Sequence, residues 1–146
     1  MAYSALTDIQ GILPDETLKQ ITDDVNGTTI IQVKIDKAIS DADEVINSYI
    51  GNRYQLPLSS PYPKLVIKLS TDIAIYNLYR RRSGIATPEI IIKAYDEAMK
   101  MLRDIQTGKA ILSDATTNLP VSEPSVYVTN KTDEDRIFTK SLLDQM

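Results

Sequence analysis

The fold class is indicated most directly by residues 31–50, which read IQVKIDKAISDADEVINSYI. Apolar side chains recur there at steps of three and four residues, the spacing that places them on one side of an α-helix. These apolar positions are Ile31, Ile35, Ala38, Ile39, Ala42, Val45, Ile46, Tyr49 and Ile50. The charged residues predicted on the opposite side are Lys34, Asp36, Lys37, Asp41, Asp43 and Glu44. The pattern predicts a helix from about Ile31 to Ile50, with Gly51 as a left-handed stop.

Two more long helices are predicted further along the chain. One covers residues 63–82, with apolar positions at Leu65, Leu69, Ile73, Tyr76 and Tyr79, widened by Val66, Ala74 and Leu78. The other has Thr87 as its N-cap, Pro88 in its first helical position and Gly108 at its end. Its apolar positions are Ile91, Ala94, Tyr95, Ala98, Leu102 and Ile105. Between the first two helices, three prolines within residues 57–63 predict a stiff non-helical connector.

The two ends of the chain differ in character from this middle part. Residues 1–22 are typical of one or two short helices, with Pro14 in a first helical turn. Residues 113–125 have the polar composition of a linker, and apolar side chains return at Ile137, Phe138, Leu142 and Leu143. We therefore expect an all-α bundle over residues 1–112 and an extended C-terminal arm over residues 113–146. The arm either docks on another molecule or packs back on its own bundle.

The composition argues against several classes of protein. The 146 residues include neither cysteine nor histidine, so disulfides, thiolate metal sites and histidine-based catalysis are excluded. No apolar run approaches the roughly 18 residues that suggest a membrane-spanning helix. The formal net charge of −4 disfavours a general nucleic-acid binder. We expect a non-enzymatic protein without metal ions or other cofactors.

Charge is distributed unevenly along the chain. Residues 1–50 hold three basic and nine acidic side chains, whereas residues 51–110 hold ten basic and five acidic ones. Residues 111–146 are acidic again, with three basic and six acidic side chains. Opposite signs on successive segments indicate charge complementarity, either within one fold or between copies of the chain.

Three consecutive arginines, Arg80, Arg81 and Arg82, form the most distinctive candidate site. Cations at the end of a helix are stabilised by its dipole, which alone would account for one or two of them. A subunit interface and contact with DNA phosphates are the other interpretations. The remaining candidates for a subunit or partner interface are Arg53, Tyr54, Phe138, Leu142 and Leu143.

A family resemblance covers nearly the whole chain in order. Its most specific part is Ser48-Tyr49-Ile50-Gly51-x-Arg53-Tyr54-x-Leu56-Pro57-Leu58. It continues through Asp72-Ile73-Ala74-x-Tyr76-x-Leu78-Tyr79, the run Tyr95-x-x-Ala98-x-x-x-Leu102-x-x-Ile105-x-x-Gly108-Lys109, and Arg136-x-Phe138-Thr139-x-x-x-Leu143. With these motifs the chain resembles the Mu-like phage and prophage family of small virion proteins.

The resemblance implies a head–tail connector, an all-helical subunit that assembles as a ring beneath the portal. Its implied partners are copies of itself, the portal protein and a tail or tail-completion protein. It implies a location at the head–tail junction of the virion, and in the host cytoplasm during assembly. No membrane and no sequence-specific nucleic acid is implied, and DNA would be touched only passively as it passes through the ring.

Residues 80–82 lead to one structural hypothesis and leave two functional alternatives. The hypothesis is that these arginines meet the acidic first fifty residues of the adjacent copy in the ring. A small helical DNA-binding regulator is one alternative to the connector, because an arginine cluster on a helical protein also fits that class. A tail-completion protein is the other.

Overall fold

The computed structural model describes residues 2–112, and these residues form five α-helices joined by turns and loops. The helices are α1 (Leu6–Gln10), α2 (Asp15–Thr22), α3 (Gln32–Ile50), α4 (Lys64–Arg81) and α5 (Glu89–Gln106). No strand occurs within residues 2–112. The prediction of an all-α fold with three long and two short helices is therefore confirmed, and the predicted arm at 113–146 lies outside the described residues.

Helix α4 lies at the centre of the bundle. Helix α3 packs along it, α5 covers another side, and α1 and α2 contact parts of it. The sequence predicted an apolar stripe widened by Val66, Ala74 and Leu78, and these three residues are buried. Burial extends further around the helix, to the polar residues Ser70, Thr71 and Asp72. The exposed residues of α4 are all cations: Lys64, Lys68, Arg80 and Arg81. The helix is thus an interior element whose contribution to the surface lies at its two ends.

Helices α3 and α5 bury the stripes that their spacing predicts. The buried positions of α3 are Ile35, Ala38, Ile39, Ala42, Asp43, Ile46 and Ile50. Those of α5 are Ile91, Ala98, Leu102 and Ile105. Between α4 and α5 the rings of Tyr76 and Tyr95 stack, with centroids 4.0 Å apart and planes 17° from parallel. One side-chain prediction is wrong, because Asp43 is only 4% exposed and lies on the core side of α3.

Three helices begin directly after a proline. Pro14, Pro63 and Pro88 precede α2, α4 and α5, with ψ angles of 148°, 135° and 141°. Each proline is therefore an extended N-cap residue and has not yet entered the helix. The predictions that Pro14 and Pro88 occupy helical positions and that Thr87 caps α5 are wrong by one residue. The ring fixes φ near its usual −65°, which suits the extended N-cap conformation as well as the helix.

The two glycine helix ends differ from each other. Gly51 has a φ of −64°, so the predicted left-handed stop is wrong at this position. Space is restricted there, because a Cβ atom would lie 2.9 Å from the backbone oxygen of Asn47. Gly108 follows the end of α5, as predicted, and has a left-handed φ of +81°. A residue with a side chain would be strained at that angle.

The proline-rich connector between α3 and α4 packs against the core. Tyr54 and Leu58 are each 1% exposed, and the Tyr62 ring meets the Tyr3 ring edge-on at a centroid distance of 5.0 Å. The Leu56–Pro57 and Ser60–Pro61 bonds are cis. The connector thereby joins the N-terminal residues to the long helices.

Candidate interaction surfaces

The arginine cluster at the end of α4 is tied to the loop that follows α2. Arg81 binds the Asp24 carboxylate with two nitrogens, each 2.8 Å from an oxygen, and Arg82 donates to the same group at 2.9 Å. The Lys34 ammonium is a third cation on this carboxylate. Arg81 also donates to the carbonyl oxygen of Ile21. One carboxylate therefore joins the end of α4 to the start of α3.

The loop that presents Asp24 is organised by the preceding residue. The Asp23 carboxylate accepts backbone N–H groups from Val25 and Asn26 on one oxygen and from Thr28 and Thr29 on the other. These N–H donors hold the pKa of Asp23 well below its usual range. The pKa of Asp24 is also strongly lowered, mainly by Arg81 and then by Lys34 and Arg82. Both carboxylates are charged at neutral pH, as the ion cluster requires.

This arrangement divides the three arginines. Arg81 and Arg82 form ion pairs with Asp24 of the same chain. For these two arginines, the basic and acidic segments therefore attract each other within one fold. Arg80 is exposed, and within residues 2–112 it has no ion-pair partner. Arg80 is thus the member of the cluster that remains available to another molecule.

Arg80 borders a shallow groove between α3 and α4. The groove encloses about 300 Å³, and its charged lining residues are Lys34, Lys37, Asp41, Arg80 and Arg81. Lys34 and Arg81 are paired with Asp24 and Lys37 is paired with Asp41, so Arg80 supplies the unpaired positive charge of this groove. On the other side of α3, a second depression of about 360 Å³ is lined by Asp36 and Asp43 together with N-terminal residues. Helix α3 therefore separates a groove that contains Arg80 from a depression whose exposed carboxylate is Asp36.

Arg53 lies at the C-terminal end of α5. Its Nη1 atom is 3.4 Å from the carbonyl oxygen of Ile105, and the guanidinium fills the space beside Gly108. A Cβ atom on Gly108 would lie 2.0 Å from that nitrogen. Arg53 thus acts within the fold, as a cation on the negative end of a helix.

Tyr54 was predicted at a subunit or partner interface, and for this residue the prediction is wrong. Its side chain is buried, and its hydroxyl oxygen accepts the backbone N–H of Leu112 at 3.0 Å. The apolar ring fills the core while the polar tip fixes the chain after α5, a common combination for tyrosine. Phe138, Leu142 and Leu143, the other interface candidates, lie outside the described residues.

A buried polar cluster that the sequence analysis missed anchors the N-terminal residues. The Asp43 carboxylate accepts the backbone N–H of Tyr3 at 2.9 Å and the hydroxyl of Ser70 at 2.7 Å. The hydroxyl oxygens of Ser4 and Ser70 are 2.8 Å apart. Burial raises the pKa of Asp43, and the two hydrogen bonds partly oppose the rise. Its sequence position held the signal, because Asp43 is four residues after Ile39 and three before Ile46.

An apolar groove of about 290 Å³ lies between the α1–α2 turn, α4 and the start of α5. Two isoleucines are exposed at its edges, Ile12 by 55% and Ile90 by 77%. Nothing in the helical periodicity identified this surface, because both residues stand outside the predicted stripes.

Among residues 2–112 no group of three or more acidic side chains could hold a metal ion. None of the five helices has the length and apolar character needed to cross a bilayer.

Comparison with known protein families gives a match over most of the chain. A sequence model of the family described as Bacteriophage Mu, Gp36 matches residues 3–130. The matched range contains all five helices and continues beyond Leu112. A search among curated proteins finds no match.

Proposed function

Because the chain belongs to the bacteriophage Mu Gp36 family, and is therefore a phage protein, we propose that it is a non-enzymatic subunit of the ring joining portal and tail. The observation that carries the proposal is the family match over residues 3–130. The resemblance to small virion proteins described above adds the connector role. The protein would act at the head–tail junction, with copies of itself, the portal and a tail protein as its partners.

The most specific part of the resemblance has an internal role in this structure. Arg53, Tyr54 and Leu58 hold the proline-rich segment between α3 and α4, and the end of α5, against the core. These residues stabilise the packed core of the subunit. The contacts of such a subunit with its neighbours would then come from other, exposed residues.

The charge on the two sides of α3 suggests how copies would meet. In a ring, each subunit presents one surface to the next and a different surface to the previous one. The groove with Arg80 and the depression with Asp36 are two such surfaces on one chain. In the proposed ring, Arg80 of one copy faces the Asp36 side of α3 in the next. Arg81 and Arg82 contribute indirectly, by fixing the end of α4 beside Asp24.

The connector role is tested in particles of the phage that carries the gene. Without the protein, DNA-filled heads and complete tails should accumulate unjoined, and adding the purified protein should join them. In intact virions, imaging should place its density as a ring between portal and tail. Normal tailed particles formed without it would refute the proposal, and density at the end of free tails would assign it to tail completion.

The contact through Arg80 has its own test in the same joining assay. R80E should reduce the yield of joined particles most strongly at low ionic strength, because exposed charges are screened by salt. The matched control is K100E, which reverses an exposed cation of α5 away from the groove. Equal joining by both variants would show that Arg80 is not at the subunit interface, while leaving the connector role itself intact.

A further inference from the structure

The groove beside Ile12 and Ile90 is mainly apolar and open to solvent, whereas apolar surface in a helical bundle is usually buried. Its walls are formed by Leu13, Ile75, Tyr79 and Ile91 together with Asp72, which is paired with Lys68, and the two exposed isoleucines stand at its edges. Exposed isoleucine next to a formed apolar depression is typical of a site that another segment occupies.

We propose that the chain's own C-terminal segment, residues 136–143, occupies this groove, with Phe138 and Leu142 as its apolar anchors. The segment contains two apolar pairs, Ile137-Phe138 and Leu142-Leu143, and the only phenylalanine of the chain. Residues 129–135, which directly precede it, are polar or charged. This docking does not depend on the connector role.

Charge complementarity supports this occupant. Asp133, Glu134 and Asp135 immediately precede the apolar segment. Beyond Ile12 lies a second depression whose charged lining residues are Lys64, Lys68 and Asp8, and Lys68 is paired with Asp72 at 2.6 Å. Lys64 is the first residue of α4, where the helix dipole disfavours a cation, and it has no ion-pair partner within residues 2–112. With residues 136–143 in the groove, the acidic triplet would reach Lys64.

The geometry allows the segment to come from the same chain. The described residues end at Leu112, near the C-terminal end of α5, whereas the groove lies at the N-terminal end of that helix. The two ends of an 18-residue helix are about 27 Å apart. Roughly 25 residues lead from Leu112 to Phe138, and at most about 3.3–3.6 Å per residue this length is more than enough to cover the distance. A tether that can span the distance makes docking within one molecule an intramolecular event, which favours it over docking between two.

The position of the segment is testable with one spin label, because the natural chain has no cysteine. T139C carrying a nitroxide should remove the NMR signals of the Ile12 and Ile90 methyl groups in the full-length protein. A mixture of labelled protein with isotope-enriched, unlabelled protein should show no such loss. Retained methyl signals in the first sample would overturn the proposal, and loss of signal in the mixture would assign the groove to a segment of a second copy.

Two surface substitutions provide a matched pair. Ile90 and Val33 are each the second residue of a long helix, and they are 77% and 76% exposed. I90D should restore the Ile12 methyl signal in the labelled protein, whereas V33D should leave the signal lost. Because both side chains are exposed, neither change should unfold the bundle. An unchanged loss of the Ile12 signal in I90D would refute docking in this groove.

Discussion

The contact between Arg53 and Gly108 leads to a quantitative prediction for G108A. At a φ of +81°, an alanine is disfavoured by about 1–2 kcal/mol relative to glycine. The new Cβ atom also displaces the Arg53 guanidinium, which loses its place on the α5 carbonyl groups. That interaction is long and half-exposed, so we assign it about 1 kcal/mol, near the lower end for charged hydrogen bonds and helix dipoles. We therefore expect G108A to lower the free energy of unfolding by about 2–3 kcal/mol.

A double-mutant cycle separates the two contributions. In the R53A background, G108A should retain only its backbone effect of about 1–2 kcal/mol, which leaves a coupling of about 1 kcal/mol between the two residues. The free energies are measured by urea denaturation, because guanidinium salts would screen the charge. G84A is the control, since nothing lies within 4 Å of a Cβ atom there and φ is not positive. An equal effect of G108A in both backgrounds would disprove the contact.

Three further predictions concern buried and paired groups. Burial raises the pKa of Asp43 above its ordinary 3.8, so its contribution to stability is largest in acid and is lost as pH rises through the raised pKa. The stability advantage of the natural chain over D43N should therefore shrink between acidic and neutral pH in thermal melts; a growing advantage would contradict this. For Asp24 the pKa is lowered, so the advantage over D24N should be present at neutral pH, fall as pH drops below 3.8, and weaken with salt; an advantage that salt does not change would contradict this. Y54F should lower the free energy of unfolding by about 1–3 kcal/mol, because the Leu112 N–H loses its acceptor; an unchanged denaturation midpoint would show that this hydrogen bond is unimportant.

The helices could be predicted because their signals are local. A stripe such as Ile35, Ile39, Ile46 and Ile50 repeats within one segment, and its burial requires only some apolar partner. The helix starts were wrong by one residue because proline satisfies both the N-cap and the first helical position. The sequence could not distinguish these positions without the ψ angle.

The interaction surfaces depended on partners far apart in the sequence. Asp24 meets Arg81 57 residues later, and no periodicity within either segment indicates that pair. The opposite charges of the two segments predicted the attraction but not which residues meet. Tyr54 was misassigned because tyrosine suits a core and an interface equally well. Asp43 was misassigned by residue type, although its spacing placed it among buried neighbours.

The nearly enclosed position of α4 makes a substitution series along this helix easy to interpret. Replacements at its inward residues should change how firmly the bundle holds together. Replacements at Lys64 and Arg80, which have no ion-pair partner within residues 2–112, change the positive charge displayed at two poles about 24 Å apart. A partner that binds both ends of α4 must present negative charge over the length of this helix, whereas a smaller partner can bind only one end.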